Sequence, residues 1–161
     1  MAVVCDGLGG LSLGEVASGN VILAFDKWFK EQFMAPGAEW TGESIRNSWE
    51  DIIYSMNQKI KEYGASQGVE MGTTITAVLF LKDKYYAIHV GDSRLYELSD
   101  GCRQITEDQT LIARELAQGI ITKEQALTDS RRNVLLQCIG VTQKLLPAFY
   151  SGNINGEAAY L

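Results

Sequence analysis

The spacing of apolar residues in this chain changes near residue 73, and that change limits the folds it can adopt. Before it, apolar residues recur at helical spacing, which predicts helices over about 14–33 and 44–63. After it come short runs rich in β-branched and aromatic residues, which predict strands at 73–81, 85–90, 94–98 and 102–105. The turn residues between these runs favour hairpins, which join antiparallel strands. The sequence therefore predicts an α/β sandwich of the α+β class, with antiparallel β-sheets flanked by helices.

The remaining segments fit one domain over residues 1–161. Residues 106–133 alternate polar and apolar pieces with helical character, and strands are predicted again at 148–153 and from 157 onward. The chain opens inside an apolar run at 2–5 and closes as another strand begins. Natural domains usually end in polar, frayed segments, so we expect the domain to be truncated at both ends.

Charge and cysteine content exclude several classes of function. The net charge is −6 and the basic residues are scattered, which argues against a nucleic-acid or anionic-membrane partner. No apolar run approaches the ~18 residues that a membrane span requires. The three cysteines form no C-x-x-C pair, and Cys5 and Cys138 lie in apolar runs, where they read as small buried hydrophobes. These features predict a cytoplasmic protein.

A glycine-rich loop, Asp6-Gly7-Leu8-Gly9-Gly10, follows the first predicted strand and precedes the first helix. A dinucleotide-binding fingerprint would need a third glycine where Ser12 stands. A phosphate-binding P-loop would need a lysine where Glu15 follows Gly14. A carboxylate at the start of the loop would also repel a bound phosphate. In the third alternative, the backbone and the Asp6 carboxylate converge on a different kind of ligand.

Six segments in order resemble motifs of the bacterial 2C-type protein phosphatases, which are metal-dependent serine/threonine phosphatases of the PPM family. They are 4–18 (D-G-M-G-G-H-x-x-G-E-x-A-S), 72–74 (G-[ST]-T), 90–96 (V-G-D-S-R-x-Y), 105–110 (L-T-x-D-H-S), 119–126 (G-x-I-[ST]-x-E-x-A) and 132–140 (R-N-V-L-T-x-x-L-G). The matches cover most of the chain. The resemblance implies the 2C-type phosphatase fold, in incomplete form, with a flap-like segment at about 106–140.

The resemblance also implies the chemistry. In this family two divalent cations, Mn²⁺ or Mg²⁺, with a third in some members, activate a water that hydrolyses phosphoserine or phosphothreonine. By correspondence Asp6 would bridge the two catalytic metals, the Gly7 carbonyl would ligate one, and Asp108 would bind the accessory third. The plainer alternatives are a simple turn at Asp6-Gly7 and a helix N-cap at Asp108. Asp92 is expected to organise its turn and His89 to be a packed core residue.

The departures from the family pattern are as informative as the matches. Leu8 replaces a methionine and Leu11 a histidine. The family's N-terminal strands, with a phosphate-binding arginine and an acidic ligand, and its C-terminal S-D-G and D-N motifs are absent. We therefore expect this chain to be weakly active or inactive, or alternatively a non-catalytic pseudophosphatase or binding module. Phosphoproteins and a cognate serine/threonine kinase are the implied partners, and unpaired sheet edges predict self-association.

Overall fold

The computed structural model describes residues 1–8, 13–154 and 156–161. The helices are α1 (Gly14–Trp28), α2 (Gly42–Gln67), α3 (Leu111–Ala117) and α4 (Lys123–Thr128), and the strands are β1 (Ala2–Val4), β2 (Ile75–Leu81), β3 (Lys84–Val90), β4 (Tyr96–Leu98), β5 (Cys102–Gln104), β6 (Ala148–Asn153) and β7 (Ala159–Tyr160). All sheet pairs are antiparallel, as the hairpin turns predicted. None of these helices combines the length and the apolar composition needed to cross a bilayer.

Capping signals mark both ends of α2, whereas α1 begins after Leu13 without a side-chain cap. A π-helical turn over Phe29–Phe33 continues α1, so helical structure extends to the predicted residue 33. At the start of α2, Thr41 and Ser44 form a capping box, and at its end Gly68 adopts φ +67°, which a residue without Cβ tolerates. Both predicted long helices are confirmed, and α2 extends a few residues beyond the prediction at each end.

Two sheets pack face to face. The larger has the order β1-β2-β3-β6 and the smaller β5-β4-β7. Alternation along β2 sends Ile75, Ala77 and Leu79 into the core under α1 and α2, while Val78 joins a second core with Leu95 of the loop before β4. Helices, sheet and second sheet thus form successive layers, and the predicted α+β architecture is confirmed.

The segment at 106–140 contains α3 and α4, and the two ends of the segment are joined to each other. Gln109 and Leu136 are hydrogen-bonded through Leu136 N–H and the Gln109 carbonyl at 2.8 Å, and Thr110 forms a β-bridge with Leu135. Further on, Ile139 forms a β-bridge with Thr73, just before β2. These contacts place the flap-like segment beside the end of the sheet where β1 terminates.

Candidate metal centre

Asp6 lies two residues after the end of β1, and both its backbone N–H and its carbonyl are hydrogen-bonded. Its N–H donates to Thr74 Oγ1 at 3.0 Å, while its carbonyl accepts from Thr74 N–H at 3.0 Å and from Thr73 Oγ1 at 3.1 Å. Thr73 and Thr74 are 0% and 1% exposed, whereas Asp6 is exposed. A buried threonine pair therefore holds the main chain while the carboxylate remains accessible to a ligand from solvent.

Gly7 occupies a position that no larger residue fits. A Cβ at Gly7 would lie 2.3 Å from the carbonyl oxygen of Gly14, because the start of α1 crosses directly over it. Gly7 also forms a β-bridge with Thr73, and Leu8 N–H donates to the Gly72 carbonyl at 3.0 Å. The absence of a side chain at Gly7 thus allows the start of α1 to pack directly against the residue that follows Asp6. Of the loop motif itself, Gly9, Gly10, Leu11 and Ser12 lie outside the described residues.

A second loop, 91–93, brings another carboxylate to this end of the sheet. Gly91, at φ +114°, is fixed by Gln109, whose side-chain oxygen accepts from Gly91 N–H at 2.9 Å and whose N–H donates to the Gly91 carbonyl at 2.8 Å. Ser93 Oγ lies 2.9 Å from Thr74 Oγ1, the same oxygen that receives Asp6 N–H. One threonine hydroxyl therefore joins the two loops.

Asp92, between these anchors, lies within electrostatic reach of Asp6 and Asp108. Asp92 is an exposed residue overall, yet its carboxyl group is partly covered. This partial burial raises the pKa of Asp92, and the charges of Asp108 and then Asp6 raise it further. The role of Asp92 in organising its turn stays a prediction, and the sequence did not indicate that Asp92 lies within electrostatic reach of both Asp6 and Asp108, with which it forms the carboxylate cluster. The sequence feature that could have indicated this proximity was the aspartate of the Gly-Asp-Ser-Arg segment.

Asp108 is held by an arginine. Arg94 donates from Nε and Nη2 to the two carboxylate oxygens at 2.8 and 2.7 Å, and Gln104 Nε2 lies 3.2 Å from one of them. The hydrogen bonds that Arg94 donates to Asp108 and then to Tyr96 raise the pKa of Arg94, which stays charged. The alternative in which Asp108 caps a helix is wrong, since Thr110 is the N-cap of α3. Asp108 as an accessory ligand stays a prediction, and a cation there would share its carboxylate with Arg94.

The side chain of His89 contacts the backbone of the 91–93 loop. It is fully buried, and its ring nitrogens lie 2.9 Å from Thr76 Oγ1 and 2.9 Å from the Gly91 carbonyl. Burial lowers the pKa of His89, against the opposing effects of the Gly91 carbonyl, Asp108 and Asp92. The interpretation of His89 as a packed core residue is confirmed.

The carboxylate and carbonyl oxygens at this end of the sheet are the type of ligand that a hard divalent cation prefers. Carboxylate and carbonyl oxygens are the ligands that Mg²⁺ and Mn²⁺ prefer, and a cluster of like charges attracts cations. Within the described ranges, however, no three His, Cys, Asp or Glu side chains come together as a set that could hold an ion. The residues present thus fit a divalent cation in the chemistry of their donors, but over the described ranges they do not by themselves complete a site.

Comparison with known proteins gives consistent results. The family model described as protein phosphatase 2C matches residues 1–139. The serine/threonine phosphatase stp of Listeria innocua is 35% identical over 148 residues, which cover 90% of this chain and 57% of that protein. The chain thus spans a little over half the length of this curated relative.

Solved structures extend the similarity to three dimensions. The S. agalactiae serine/threonine phosphatase superposes with a TM-score of 0.86 at 28% identity, covering 98% of this chain and 64% of that one. The catalytic domain of serine/threonine protein phosphatase PstP, solved in complex with two manganese ions, gives a TM-score of 0.78 at 28% identity over the same shares. With the family model matching most of its length, this chain belongs to the protein phosphatase 2C family.

Proposed function

We propose that this chain carries the Asp6 side of a two-metal centre that hydrolyses phosphoserine and phosphothreonine in proteins, with Mn²⁺ or Mg²⁺ as cofactor. The observation that supports this most directly is the fixed backbone of Asp6, held by Thr73 and Thr74 while its carboxylate faces solvent. A metal ligand must keep its position when a charged ion binds, and a ligand on restrained backbone does so at little entropic cost. The family assignment gives this arrangement its chemistry.

Each residue has a distinct part in the proposal. Asp6 would bridge two cations and the Gly7 carbonyl would ligate one of them. Bound dications would supply charge neutralisation at the phosphate and an activated water. Asp108, shared with Arg94, and the neighbouring Asp92 would attract an accessory third ion.

The substrates we propose are phosphoproteins, with a cognate serine/threonine kinase as the opposing partner. The relative from Listeria innocua is named a serine/threonine phosphatase. A cytoplasmic location is proposed because Cys5, Cys102 and Cys138 are all free thiols, as in a reducing compartment.

The test is Mn²⁺-dependent hydrolysis of p-nitrophenyl phosphate. It compares the chain with a chimera that adds the flanking segments of the Listeria innocua relative, each also as Asp6→Asn and Asp100→Asn. Asp100 is an exposed hairpin residue and controls for the loss of one negative charge. We expect the chimera to be active and the chain weakly active or inactive. Asp6→Asn should abolish the activity and Asp100→Asn should leave it unchanged. An Asp6→Asn chimera as active as its parent would refute the assignment.

A non-catalytic binding module is the alternative, and the small number of clustered ligands among the described residues favours it for this chain. A cation that binds only the folded state must raise the melting temperature. If Mn²⁺ leaves the melting temperature of the chimera unchanged and no hydrolysis is seen, the binding module is the better description.

Self-association through sheet edges is also proposed. In the larger sheet β1 and β6 are the outermost strands, and Val4 on β1 is 60% exposed. An open edge offers unpaired backbone groups to another chain. Light scattering coupled to size exclusion tests this, and a monomer at all concentrations would contradict it.

A further inference from the structure

A pocket of about 460 Å³ opens between α3 and α4, next to the carboxylate cluster of Asp6, Asp92 and Asp108. Arg94 and Asp108 form the wall that it shares with the cluster. The pocket combines an apolar floor with a cationic rim, and its other lining residues are Thr110, Ile112, Ala113, Leu116, Lys123, Ala126, Leu127 and Arg132. Leu127 is 77% exposed, so part of the apolar surface is open to a partner.

The residues that line this pocket carry more positive than negative charge. Arg94 is neutralised by its bidentate pair with Asp108. Over the described part of the chain, neither Lys123 nor Arg132 forms an ion pair, although adjacent Arg131 pairs with both Glu115 and Asp129. Two exposed cations therefore remain without a carboxylate partner in a chain whose net charge is −6.

The neighbouring pocket on the other side of α3 provides an internal comparison. It is also lined by Arg94 and Asp108, but there Arg114 is accompanied by Glu107, so opposite charges are equal in number. Of these two neighbouring pockets, only the α3–α4 pocket has an excess of positive charge. A concave site with local positive potential concentrates anionic groups, and apolar walls strengthen the effect.

We propose that the α3–α4 pocket binds an acidic side chain of the phosphoprotein, located a few residues from the phosphoserine or phosphothreonine, with Lys123 and Arg132 as specificity-determining residues. This inference rests on the proposed function, since it assumes that the phosphorylated residue is bound at the carboxylate cluster. With the cations and the phosphate in place at the cluster, an acidic residue a few positions along the substrate lies beside the adjoining cationic pocket, which accepts it.

The side chains suit this role. Arginine presents a planar fork that pairs with both oxygens of a carboxylate, and lysine adds a mobile point charge. Ile112 and Leu116 give the methylene stem of a glutamate an apolar surface on which to pack. The pocket should therefore prefer an acidic side chain to a neutral one of the same shape.

Peptide binding can be measured without hydrolysis and therefore tests the pocket separately from catalysis. Two fluorescently labelled peptides carry a central phosphothreonine and differ only in having flanking glutamates or flanking glutamines. Fluorescence anisotropy measures their affinity for the chain, for a Lys123→Gln, Arg132→Gln double variant, and for Lys59→Gln, Lys61→Gln as the control. The control removes the same charge from α2, whose Lys59 lines a different groove.

We expect the glutamate peptide to bind about tenfold more tightly than the glutamine peptide at low salt, with the double variant abolishing this preference and the control retaining it. Equal binding of the two peptides to the chain would overturn the proposal. A control variant that loses the preference as fully as the double variant would also overturn it, because net charge alone would then explain the effect.

The outcome is separable from that of the proposed function. If Asp6→Asn abolishes hydrolysis by the chimera and both peptides are cleaved with equal kcat/KM, the phosphatase assignment holds and the pocket assignment fails. If no hydrolysis occurs but the glutamate preference depends on Lys123 and Arg132, the pocket is an acidic-peptide site and the phosphatase proposal fails.

Discussion

Thr74 is the residue whose substitution most directly tests how Asp6 is held. Its hydroxyl accepts the Asp6 N–H at 3.0 Å and lies 2.9 Å from Ser93 Oγ, while its methyl group packs against Gly91 so closely that a Cβ there would lie 2.5 Å away. Thr74→Val keeps the shape and the methyl group but removes the hydroxyl. Thr74→Ser keeps the hydroxyl and removes the methyl group. The pair therefore separates hydrogen bonding from packing at one position.

The expected costs differ in size. Thr74→Val leaves a partly buried N–H without its acceptor, which costs about 2 kcal/mol in the free energy of unfolding. Thr74→Ser loses one buried methyl group, which costs about 1 kcal/mol. For a domain of this size, these costs correspond to decreases in melting temperature of roughly 4–8 °C and 2–4 °C.

Urea unfolding, monitored by tryptophan fluorescence, measures both changes in the free energy of unfolding when the m-value is the same for all variants. Hydrogen exchange of the Asp6 amide should accelerate more in Thr74→Val than the global stability loss requires. If Thr74→Val is as stable as the parent chain and exchanges its Asp6 amide no faster, the Thr74 hydroxyl does not hold the backbone of Asp6.

Other substitutions and reagents test the surrounding structure. Gly140→Ala should destabilise the chain by about 2 kcal/mol or more, because Gly140 has φ +91° and the added methyl would lie 2.5 Å from the Met71 carbonyl oxygen; a thermal melt unchanged by this substitution would contradict the geometry. Ellman's reagent at pH 8 should react rapidly with exposed Cys102 alone. Burial raises the pKa of Cys5 to about 12 and that of Cys138 to about 11, so both thiols stay protonated below those values and become reactive only at higher pH or on unfolding. Rapid reaction of all three thiols in the folded chain would contradict this.

The sequence predicted what local patterns encode. Helical spacing identified α1 and α2, and strand composition with turn residues identified the β2–β3 hairpin. The glycine loop located Asp6 and Gly7 because its motif is contiguous. These features depend on residues that are neighbours in the chain, so no tertiary contact was needed to find them.

The remainder depends on contacts between distant segments. Residues 73–74 were predicted as strand, yet β2 begins at Ile75, because Thr73 instead forms isolated bridges with Gly7 and Ile139, more than 60 residues away in either direction. The grouping of Asp92 with Asp6 likewise requires the β1–β2 pairing and the 91–93 loop together. The Arg94–Asp108 pair joins residues 14 positions apart across a turn and two strands. No periodicity in the sequence reports such proximity.

These long-range contacts make the flap-like segment part of the support of Asp6 and of the loop at 91–93. Gln109 bonds both backbone groups of Gly91, and Ile139 exchanges two 3.0 Å hydrogen bonds with Thr73, which in turn bonds the Asp6 carbonyl. The segment between these anchors carries α3, α4 and the cationic pocket. A ligand that binds the pocket therefore acts on a segment whose two ends hold the loops of Asp92 and Asp6. If Asp6 holds metal and the pocket holds an acidic side chain, as proposed, substrate selection and metal geometry would be coupled through these hydrogen bonds.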